Sequence, residues 1–589
     1  MLTTVLVANR GEIAARIVRT CAELGIRSVA VYSDADAKSL HVRLADDAVR
    51  LPGVTARETY LDAERIVAAA MSSGADAVHP GYGFLSENAS FAAAVESAGL
   101  TFVGPSAEVI ATLGDKVSAR ASATAEGVPV VPGIDLGDGD PGGLRRFGGE
   151  HGWPVLIKPA RGGGGVGMRV VAAPHDVATG VEIAAALEAA RAEAGAAFGD
   201  RTVYAERYLS SARHIEVQVV GDRHGRLVAL GDRDCSVQRR HQKLVEEAPA
   251  PGMDAALREA MADAALRVAR RVGYVGAGTV EFLVQDGAFY FLEMNTRIQV
   301  EHPVTEAVLG VDLLREQLLV AGGEPLSIDA ESAPRGHAIE CRINAEDPAR
   351  GFLPAPGTLE RLSMPWRPGV RLDTGYESGD EVPAHYDSLL AKLIVWGPTR
   401  EIALHRLREV LGGTVVEGIA STLPALCVVA AHRDFAAGGV STRWFEQVVS
   451  PTLRTAPTPA PEAEAAPGVW IAGRFHRLPA ASRTGVPGAR IRPRSSRLGT
   501  SLTTAEPPAG AHQVLSPMRA TVTAIAVEPG EGVSAGQVLG AVEAMKMEHP
   551  LTSLTAGRVV AVHVTVGQLV SAGDVLLVVE PEGATDAGS

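Results

Sequence analysis

The chain has 589 residues, more than one hydrophobic core organises, so several domains are expected. Its 69 acidic residues outnumber 55 basic ones, and the formal charge of −14 excludes nucleic acid or an anionic membrane as the main partner. Cys21, Cys235, Cys341 and Cys427 are too scattered for a metal-type pairing or a disulfide framework, which makes a reducing cytoplasm the expected location.

The N-terminus enters a strand-like Val5-Leu-Val-Ala8 without the basic start and long apolar core of a signal peptide. No stretch approaches the roughly 18 apolar residues of a membrane span, so a soluble chain is expected. A helix from Glu12 to Leu24, a strand Ser28–Tyr32 and later strands near Ala77-Val78 and Thr101–Val103 predict an open α/β layer over residues 1–115. Its first turn, Asn9-Arg-Gly-Glu12, lacks the Gly-x-Gly-x-x-Gly dinucleotide pattern, and no Walker A sequence occurs anywhere.

Residues 116–330 carry most of the polar motifs. Lys158-Pro-Ala-Arg-Gly-Gly-Gly-Gly-Val-Gly-Met168 follows a strand-like Pro154–Ile157, placing a lysine and a glycine loop at a strand end. Glycines let backbone N–H groups approach phosphate oxygens and let a loop close as a lid. Further on, Glu281-Phe-Leu-Val-Gln-Asp-Gly-Ala-Phe-Tyr-Phe-Leu-Glu293 reads as a hairpin around Asp286-Gly287. A two-residue turn would set Glu281 opposite Leu292 and turn the two glutamates to opposite faces. A three-residue loop, with Gln285 opposite Phe289, sets Glu281 across from Glu293, and Asn295 shares the face by period two. The three-residue register is predicted, because Glu281, Glu293 and Asn295 then converge as a hard oxygen site for Mg²⁺ (or Mn²⁺) at nucleotide phosphates.

Residues 331–445 are strand-rich and end in helical segments. From 446 to 512 the composition turns to Pro, Ala and Arg, as in Pro451-Thr-Leu-Arg-Thr-Ala-Pro-Thr-Pro-Ala-Pro461, and reads as a linker with a short strand at Val469–Leu478. The basic run Arg490-Ile-Arg-Pro-Arg-Ser-Ser-Arg497 is either a solvated part of that linker or a docking element. A flexible linker of this length has a root-mean-square span of roughly 40–50 Å, enough for a tethered domain to visit separated sites.

Over residues 513–582 the chain repeats itself: a shift of 37 positions overlays Ala520–Glu543 on Gly557–Glu580, matching Gly530 with Gly567 and Ser534-Ala-Gly536 with Ser571-Ala-Gly573. Each copy alternates apolar and small or polar residues between glycines, so two copies are expected to close into a small flattened barrel. Lys546, in Glu543-Ala-Met-Lys-Met-Glu-His549, would occupy the hairpin between them.

Several of these strings resemble known families. Ala544-Met-Lys-Met547 is similar to the attachment site of biotinyl carrier domains; lipoyl carriers share the repeat but usually flank their lysine with Asp and Ala. The glycine loop, Lys116, Lys158 and the Glu281/Glu293/Asn295 set resemble the ATP-grasp nucleotide site. His79-Pro-Gly-Tyr-Gly-Phe-Leu-Ser-Glu-Asn88, Arg233-Asp-Cys-Ser-Val-Gln-Arg-Arg-His-Gln-Lys243, Glu246-Glu-Ala-Pro249 and Glu293-Met-Asn-Thr-Arg-Ile-Gln-Val-Glu-His302 resemble biotin carboxylase over residues 1 to about 445. With the carrier appended, the chain resembles the α subunit of an actinobacterial acyl-CoA carboxylase of the acetyl/propionyl-CoA type. That resemblance implies an α/β fold, with an open N-terminal domain, an ATP-grasp centre with a lid and a C-terminal domain, followed by the linker and an all-β biotinyl barrel.

The resemblance also implies roles. Lys116, Lys158 and the backbone of Gly162, Gly163, Gly164 and Gly165 would hold ATP phosphates, Glu206 and Leu209 would meet adenine, and His214, Gln238 and His241 would lie near ribose and phosphates. Lys243, Arg297, Gln299 and Val300 would cradle bicarbonate, with Glu301 as the general base. Arg342 would stabilise the enolate-like ureido oxygen of biotin, in a pocket shared with Tyr82 and Asp387. Biotin on Lys546, ATP and Mg²⁺ are the implied cofactors and substrates. A carboxyltransferase β subunit and a biotin protein ligase are the implied partners, and a homodimer within a larger α/β assembly the implied state. Val166 stands where many relatives carry Lys or Arg, so one lid contact to phosphate is expected to be missing or supplied by Arg161.

Overall fold

In a computed structural model the chain forms two compact units, one built on Met1–Arg454 and the other on Thr455–Glu543 and Glu548–Ser589. The structure describes residues 1–136, 140–159, 168–172, 181–198, 201–328, 333–453, 468–471, 474–477, 511–545 and 547–581.

The first unit opens with a five-stranded parallel sheet in the order Asp47–Arg50, Arg27–Tyr32, Thr4–Val7, Ala77–His79, Thr101–Phe102. The central strand Thr4–Val7 is buried along its whole length, as an unbroken apolar run between two parallel neighbours should be. The helix Gly11–Glu23 packs Ile13, Ile17 and Val18 into that core. Chain order reverses between Thr4–Val7 and Ala77–His79, so the loops leaving their carboxyl ends diverge and leave a crevice, the usual ligand position in such sheets. Asn9 ties the two loops together by donating from Nδ2 to the Pro80 carbonyl at 2.7 Å and the Tyr82 carbonyl at 2.8 Å.

An eight-stranded antiparallel sheet runs in the order Ala288–Asn295, Gly276–Gln285, Arg213–Gly221, Leu227–Arg239, Gln242–Ala248, His337–Asn344, Leu389–Gly397, Val370–Thr374. It continues across residue 330 without a break, since Gln242–Ala248 pairs directly with His337–Asn344. Strands far apart in sequence thereby present one polar face. A separate four-stranded sheet, with Val155–Pro159 between Val203–Arg207 and Arg169–Val171, carries Lys158. Gly162, Gly163, Gly164 and Gly165, with Arg161 and Val166, lie outside the described residues.

The hairpin register corrects one expectation. The turn is the two-residue Asp286-Gly287 type, with Gln285 opposite Ala288 and both turn residues at positive φ (53° and 76°). The predicted three-residue loop does not form. A β-bulge between Glu281 and Phe282 takes up Leu292 instead and restores the pairing of Glu281 with Glu293. The glutamates therefore meet as expected, by a different device.

In the second unit the 37-residue repeat becomes two four-stranded sheets, His512–Leu515, Val575–Pro581, Gly557–Val562, Gly532–Val533 and Met547–Thr552, Val538–Ala544, Ala520–Ile525, Leu569–Val570. Both copies carry a register shift at the same position, Val522/Ala524 and Val559/Ala561. Gly530 N–H donates to the Val559 carbonyl at 2.7 Å and its repeat mate Gly567 N–H to the Val522 carbonyl at 2.8 Å, locking the halves reciprocally. Lys546 lies outside the described residues, between a strand ending at Ala544 and one starting at Met547. In the expected linker, Gly468–Ile471 and Arg474–Arg477 pair as two short antiparallel strands rather than one; the run Arg490–Arg497 lies outside the described residues. Among the described residues no helix is long and apolar enough to cross a membrane.

One close approach joins the fold to the crevice. A Cβ added at Gly375 would lie 2.5 Å from the Glu12 backbone nitrogen and 2.7 Å from the Gly11 carbonyl carbon. Backbone atoms cannot swing aside, so Gly375→Ala should cost about 1–3 kcal/mol, read as a lower urea midpoint. An unchanged midpoint would show that the contact yields freely.

Candidate active site

The strand Arg213–Gly221 alternates His214, Glu216 and Gln218 with Ile215, Val217 and Val219, so its polar side chains share one face by period two. Glu216 pairs directly across from Glu281 on one side and from Arg233 on the other. Lys243 comes to the same face from Gln242–Ala248. Its ammonium lies 2.7 Å from Glu216 Oε2, 3.0 Å from Glu281 Oε1 and 2.5 Å from Glu301 Oε1. Burial works against this cation, but the three carboxylates outweigh it and hold its pKa well above that of free lysine. Burial likewise opposes ionisation of Glu301, and Lys243, Arg342 and Arg233 outweigh it, so Glu301 is a carboxylate far below the usual range.

Arg233 lies beneath, fully buried, with its donors satisfied. It donates to Glu216, to Gln218 Oε1 at 2.7 Å, to Thr305 and Thr279 hydroxyls at 3.0 Å and to Gln299 Oε1 at 2.9 Å. Gln299 is oriented by this contact and donates from Nε2 to Glu281 Oε1 at 2.7 Å. Arg297 Nη2 donates to Asn295 Oδ1 at 2.9 Å, and its Nε to Glu87 Oε2 at 2.9 Å. His214 places Nε2 3.0 Å from Glu281 Oε2, while Gln238 Nε2 donates to its Nδ1 at 3.0 Å, which in the neutral ring leaves the proton on Nε2.

Arg342, on the neighbouring strand His337–Asn344, donates from Nε to Glu246 Oε1 at 2.6 Å and from Nη2 to Glu301 Oε2 at 2.9 Å. One guanidinium thus serves two carboxylates, and Glu246 fares worse: burial pushes its pKa up to about 7, Arg342 only partly countering it and Glu301 adding to it. A cavity of about 270 Å³ opens where the N-terminal crevice meets this face, lined by Glu12, Tyr82, Lys243, Val300, Arg342 and Asp387 among others. The Tyr82 hydroxyl contacts Glu12 Oε1.

The structure brings together Lys243, Glu281, Asn295, Arg297, Gln299, Glu301, His214, Gln238 and Arg342, and sets Tyr82, Asp387 and Val300 around the adjoining cavity. Glu293 faces Glu281 in the ladder. Both carboxylates are hard oxygen donors of the type Mg²⁺ takes, but Lys243, Gln299 and Asn295 donate to Glu281 Oε1 here, and Asn295 does so with its amide nitrogen at 3.0 Å, so its oxygen would join only after an amide flip. Lys158 and Glu206, expected at opposite ends of a nucleotide, contact each other, and Glu206 also accepts from Arg120 at 2.8 Å and Tyr204 at 3.0 Å. Leu209 packs with Val131 and Ala212 against Leu283 and Tyr290. His241 is exposed on a two-residue turn at positive φ (65°). Lys116 begins the helix Lys116–Ala125.

Sequence reasoning missed roles for Glu216, Arg233, Glu246 and Glu87. The alternation through His214, Glu216 and Gln218 marks a buried polar face and could have found the first. Arg233 and Glu246 carry no such local signal; their partners come from other strands.

Family models match nearly the whole chain: "Biotin carboxylase, N-terminal domain" over residues 1–110, "Carbamoyl-phosphate synthase L chain, ATP binding domain" over 115–329, "Biotin carboxylase C-terminal domain" over 340–447 and "Biotin-requiring enzyme" over 512–579. The chain is 44% identical over 574 residues to the biotin-dependent acyl-coenzyme A carboxylase alpha3 subunit of Mycobacterium leprae, covering 94% of each. It is 50% identical over 455 residues to the mitochondrial methylcrotonoyl-CoA carboxylase subunit alpha of Oryza sativa subsp. japonica, which involves 77% of this chain and 61% of that protein. In structure it is similar to the biotin carboxylase domain dimer of the Hydrogenobacter thermophilus 2-oxoglutarate carboxylase, solved with MgADP, ADP and bicarbonate, with TM-score 0.71, 44% identity and coverage of 78% of this chain and all of that one.

Two outcomes test the charge balance. Lys243→Met leaves buried carboxylates without their shared cation and should destabilise the first unit by about 3–5 kcal/mol in urea unfolding. For Glu246, whose pKa rises from 4.5 to about 7 on folding, the folded chain keeps a proton between these values that the unfolded chain has lost. This group therefore makes stability fall as pH rises through that window, by on the order of 3 kcal/mol. Glu246→Gln should gain in Tm relative to wild type between pH 5 and 8, and a pH-independent difference would refute the assignment.

Proposed function

The chain belongs to the biotin carboxylase family of biotin-dependent carboxylases, and from that premise we propose that it carboxylates biotin carried on its own Lys546 as the first half-reaction of acyl-CoA carboxylation. The observation that carries the acyl-CoA acceptor is the end-to-end likeness to an acyl-CoA carboxylase α subunit, with carboxylase and carrier in one polypeptide.

Bicarbonate is a poor electrophile, so ATP is consumed to activate it as carboxyphosphate, a step served by positioning and electrostatics rather than by a covalent enzyme intermediate. Glu301 takes the bicarbonate proton, and the oxygen so freed attacks the γ-phosphorus as ADP leaves. Lys243 and Arg342 keep Glu301 ionised and so free to accept a proton, while lowering its basicity. Lys243, Arg297, Gln299 and the Val300 backbone hold the bicarbonate oxygens. Lys116, Lys158 and the backbone of Gly162–Gly165 hold the phosphates, with His214, Gln238 and His241 along the ribose and phosphates and Glu206 and Leu209 at the adenine. Mg²⁺ held by Glu281 and Glu293, with Asn295, would neutralise phosphate charge.

Biotin is the second substrate of this half-reaction. Arg342, Tyr82 and Asp387 line the cavity, where Arg342 would offer a permanent charge to the ureido oxygen of biotin and Tyr82 and Asp387 would flank its ring system. The ion pair between Lys158 and Glu206 is the resting arrangement, which nucleotide phosphates would open by competing for the lysine.

The acceptor half-reaction belongs to a partner of the carboxyltransferase β type, and modification of Lys546 to a biotin protein ligase. Self-association as a dimer completes the reading. A second reading, carboxyl transfer to a 2-oxoacid such as pyruvate, is favoured by the likeness to the 2-oxoglutarate carboxylase domain.

Biotinylated full-length chain given ATP and labelled bicarbonate should acquire acid-labile label, lost in Lys546→Ala and lowered at least about a hundredfold in rate in Glu301→Gln. Label that persists in Lys546→Ala would overturn self-carboxylation. With a carboxyltransferase β subunit added, label should chase into acetyl-CoA or propionyl-CoA; a chase into pyruvate or 2-oxoglutarate alone would establish the second reading.

A further inference from the structure

Lys392 has no part in the roles assigned above, yet it is a fully buried lysine on the same rung as Arg342. In the pairing of His337–Asn344 with Leu389–Gly397, Arg342 and Lys392 are direct Cα partners, so their side chains leave the same face of the sheet. Two cations facing each other on one rung repel unless carboxylates separate them. Arg342 is taken by Glu246 and Glu301. Lys392 is taken by Glu12 Oε1 at 3.0 Å and lies 3.9 Å from Asp373 Oδ2, itself its rung partner on Val370–Thr374. Burial works against the Lys392 ammonium, and Glu12, Glu340 and Asp373 outweigh it, so the charge persists.

Arg342 Nη2 grips the Glu301 carboxylate at 2.9 Å, and Lys392 Nζ donates to the carbonyl of the preceding residue, Val300, at 3.0 Å. Adjacent cations on one rung thus hold consecutive residues of the segment that enters the cavity. The same ammonium reaches the opposite wall through Glu12, whose Oε1 also contacts the Tyr82 hydroxyl. Glu12, Tyr82 and Val300 all line the cavity.

We propose that Lys392 is a positioning residue of the carboxylation site, holding the Val300 carbonyl and Glu12 so that the Val300–Glu301 segment and the Tyr82 wall keep the spacing that admits the ureido ring. This rests on the reading of the cavity as the biotin site. Lys392 touches neither substrate. Its loss changes the distance between the two walls of the biotin pocket and leaves the nucleotide slot around Leu209, on other strands, untouched.

The test uses the full chain, with free D-biotin as the varied substrate and ATP- and bicarbonate-dependent ADP release as the readout. Two variants are compared, Lys392→Met and the pair Glu12→Gln/Lys392→Met, which removes both charges of that ion pair and so does not leave Glu12 as a carboxylate without its cation. In each variant that folds, the KM for free biotin should rise about tenfold, the equivalent of one hydrogen bond lost from the bound complex, while the KM for ATP stays within about twofold. A biotin KM within about twofold of wild type in the folded double variant would overturn the proposal, as would an equal rise in both KM values. Failure of both variants to fold would place Lys392 in the fold alone and overturn it too. Wild-type chain that releases no ADP in response to biotin would instead sink the reading of the cavity, separately from the role of Lys392.

Discussion

A single ammonium organises the site. Lys243 is nearly buried and bridges Glu216, Glu281 and Glu301 at once. Removing one member of such a set costs several kcal/mol, because what remains is uncompensated charge in a low dielectric. The cation must therefore arrive on the correct face and rung, which makes strand register the quantity on which the chemistry depends. Arg233 enforces this from below, reaching Glu216, Gln218, Thr279, Thr305 and Gln299, which come from two strands and the Gln299–Thr305 segment.

Register is set by local irregularities as much as by regular pairing. The Asp286-Gly287 turn alone would send Glu281 and Glu293 to opposite faces, and the bulge at Leu292 reverses that consequence. Shifts in the pairing of Arg213–Gly221 with Leu227–Arg239, and of Leu227–Arg239 with Gln242–Ala248, act in the same neighbourhood. Each extra residue changes which side chains share a face, and so which charges meet. The Arg240-His241 turn adds two non-glycine residues at positive φ next to Lys243, a costly conformation that the flanking ladder sustains.

The same sheet explains why carboxylase chemistry draws on so much of the chain. Because Gln242–Ala248 pairs with His337–Asn344, and that strand with Leu389–Gly397, Glu246, Arg342 and Lys392 share one face of the sheet across what reads in sequence as a domain boundary. The parallel N-terminal sheet supplies the facing wall through its topological switch, where Asn9 knits the loop of Glu12 to that of Tyr82. The second unit is built on another principle, in which one short motif is used twice and its bulges and inter-strand glycines recur at the same repeat positions.

Much of this was legible in the residues. The parallel layer follows from apolar runs alternating with helix patterns, the repeat follows from self-similarity, and the motif strings point to ATP, bicarbonate and biotin chemistry, because such strings encode local geometry that travels with them. The convergence of Glu281 with Glu293 was also reached, though through a loop length that the chain does not use: a bulge needs the energies of two paired strands and leaves no mark in either alone. What only the tertiary structure decided are the pairings between distant strands, Arg233 with Glu216, Arg342 with Glu246, Lys392 with Glu12 and Val300, and Lys158 with Glu206. A charged residue in a strand announces itself, but its partner is whichever opposite charge the folded sheet brings within reach, and that choice is made by register and burial rather than by any local pattern.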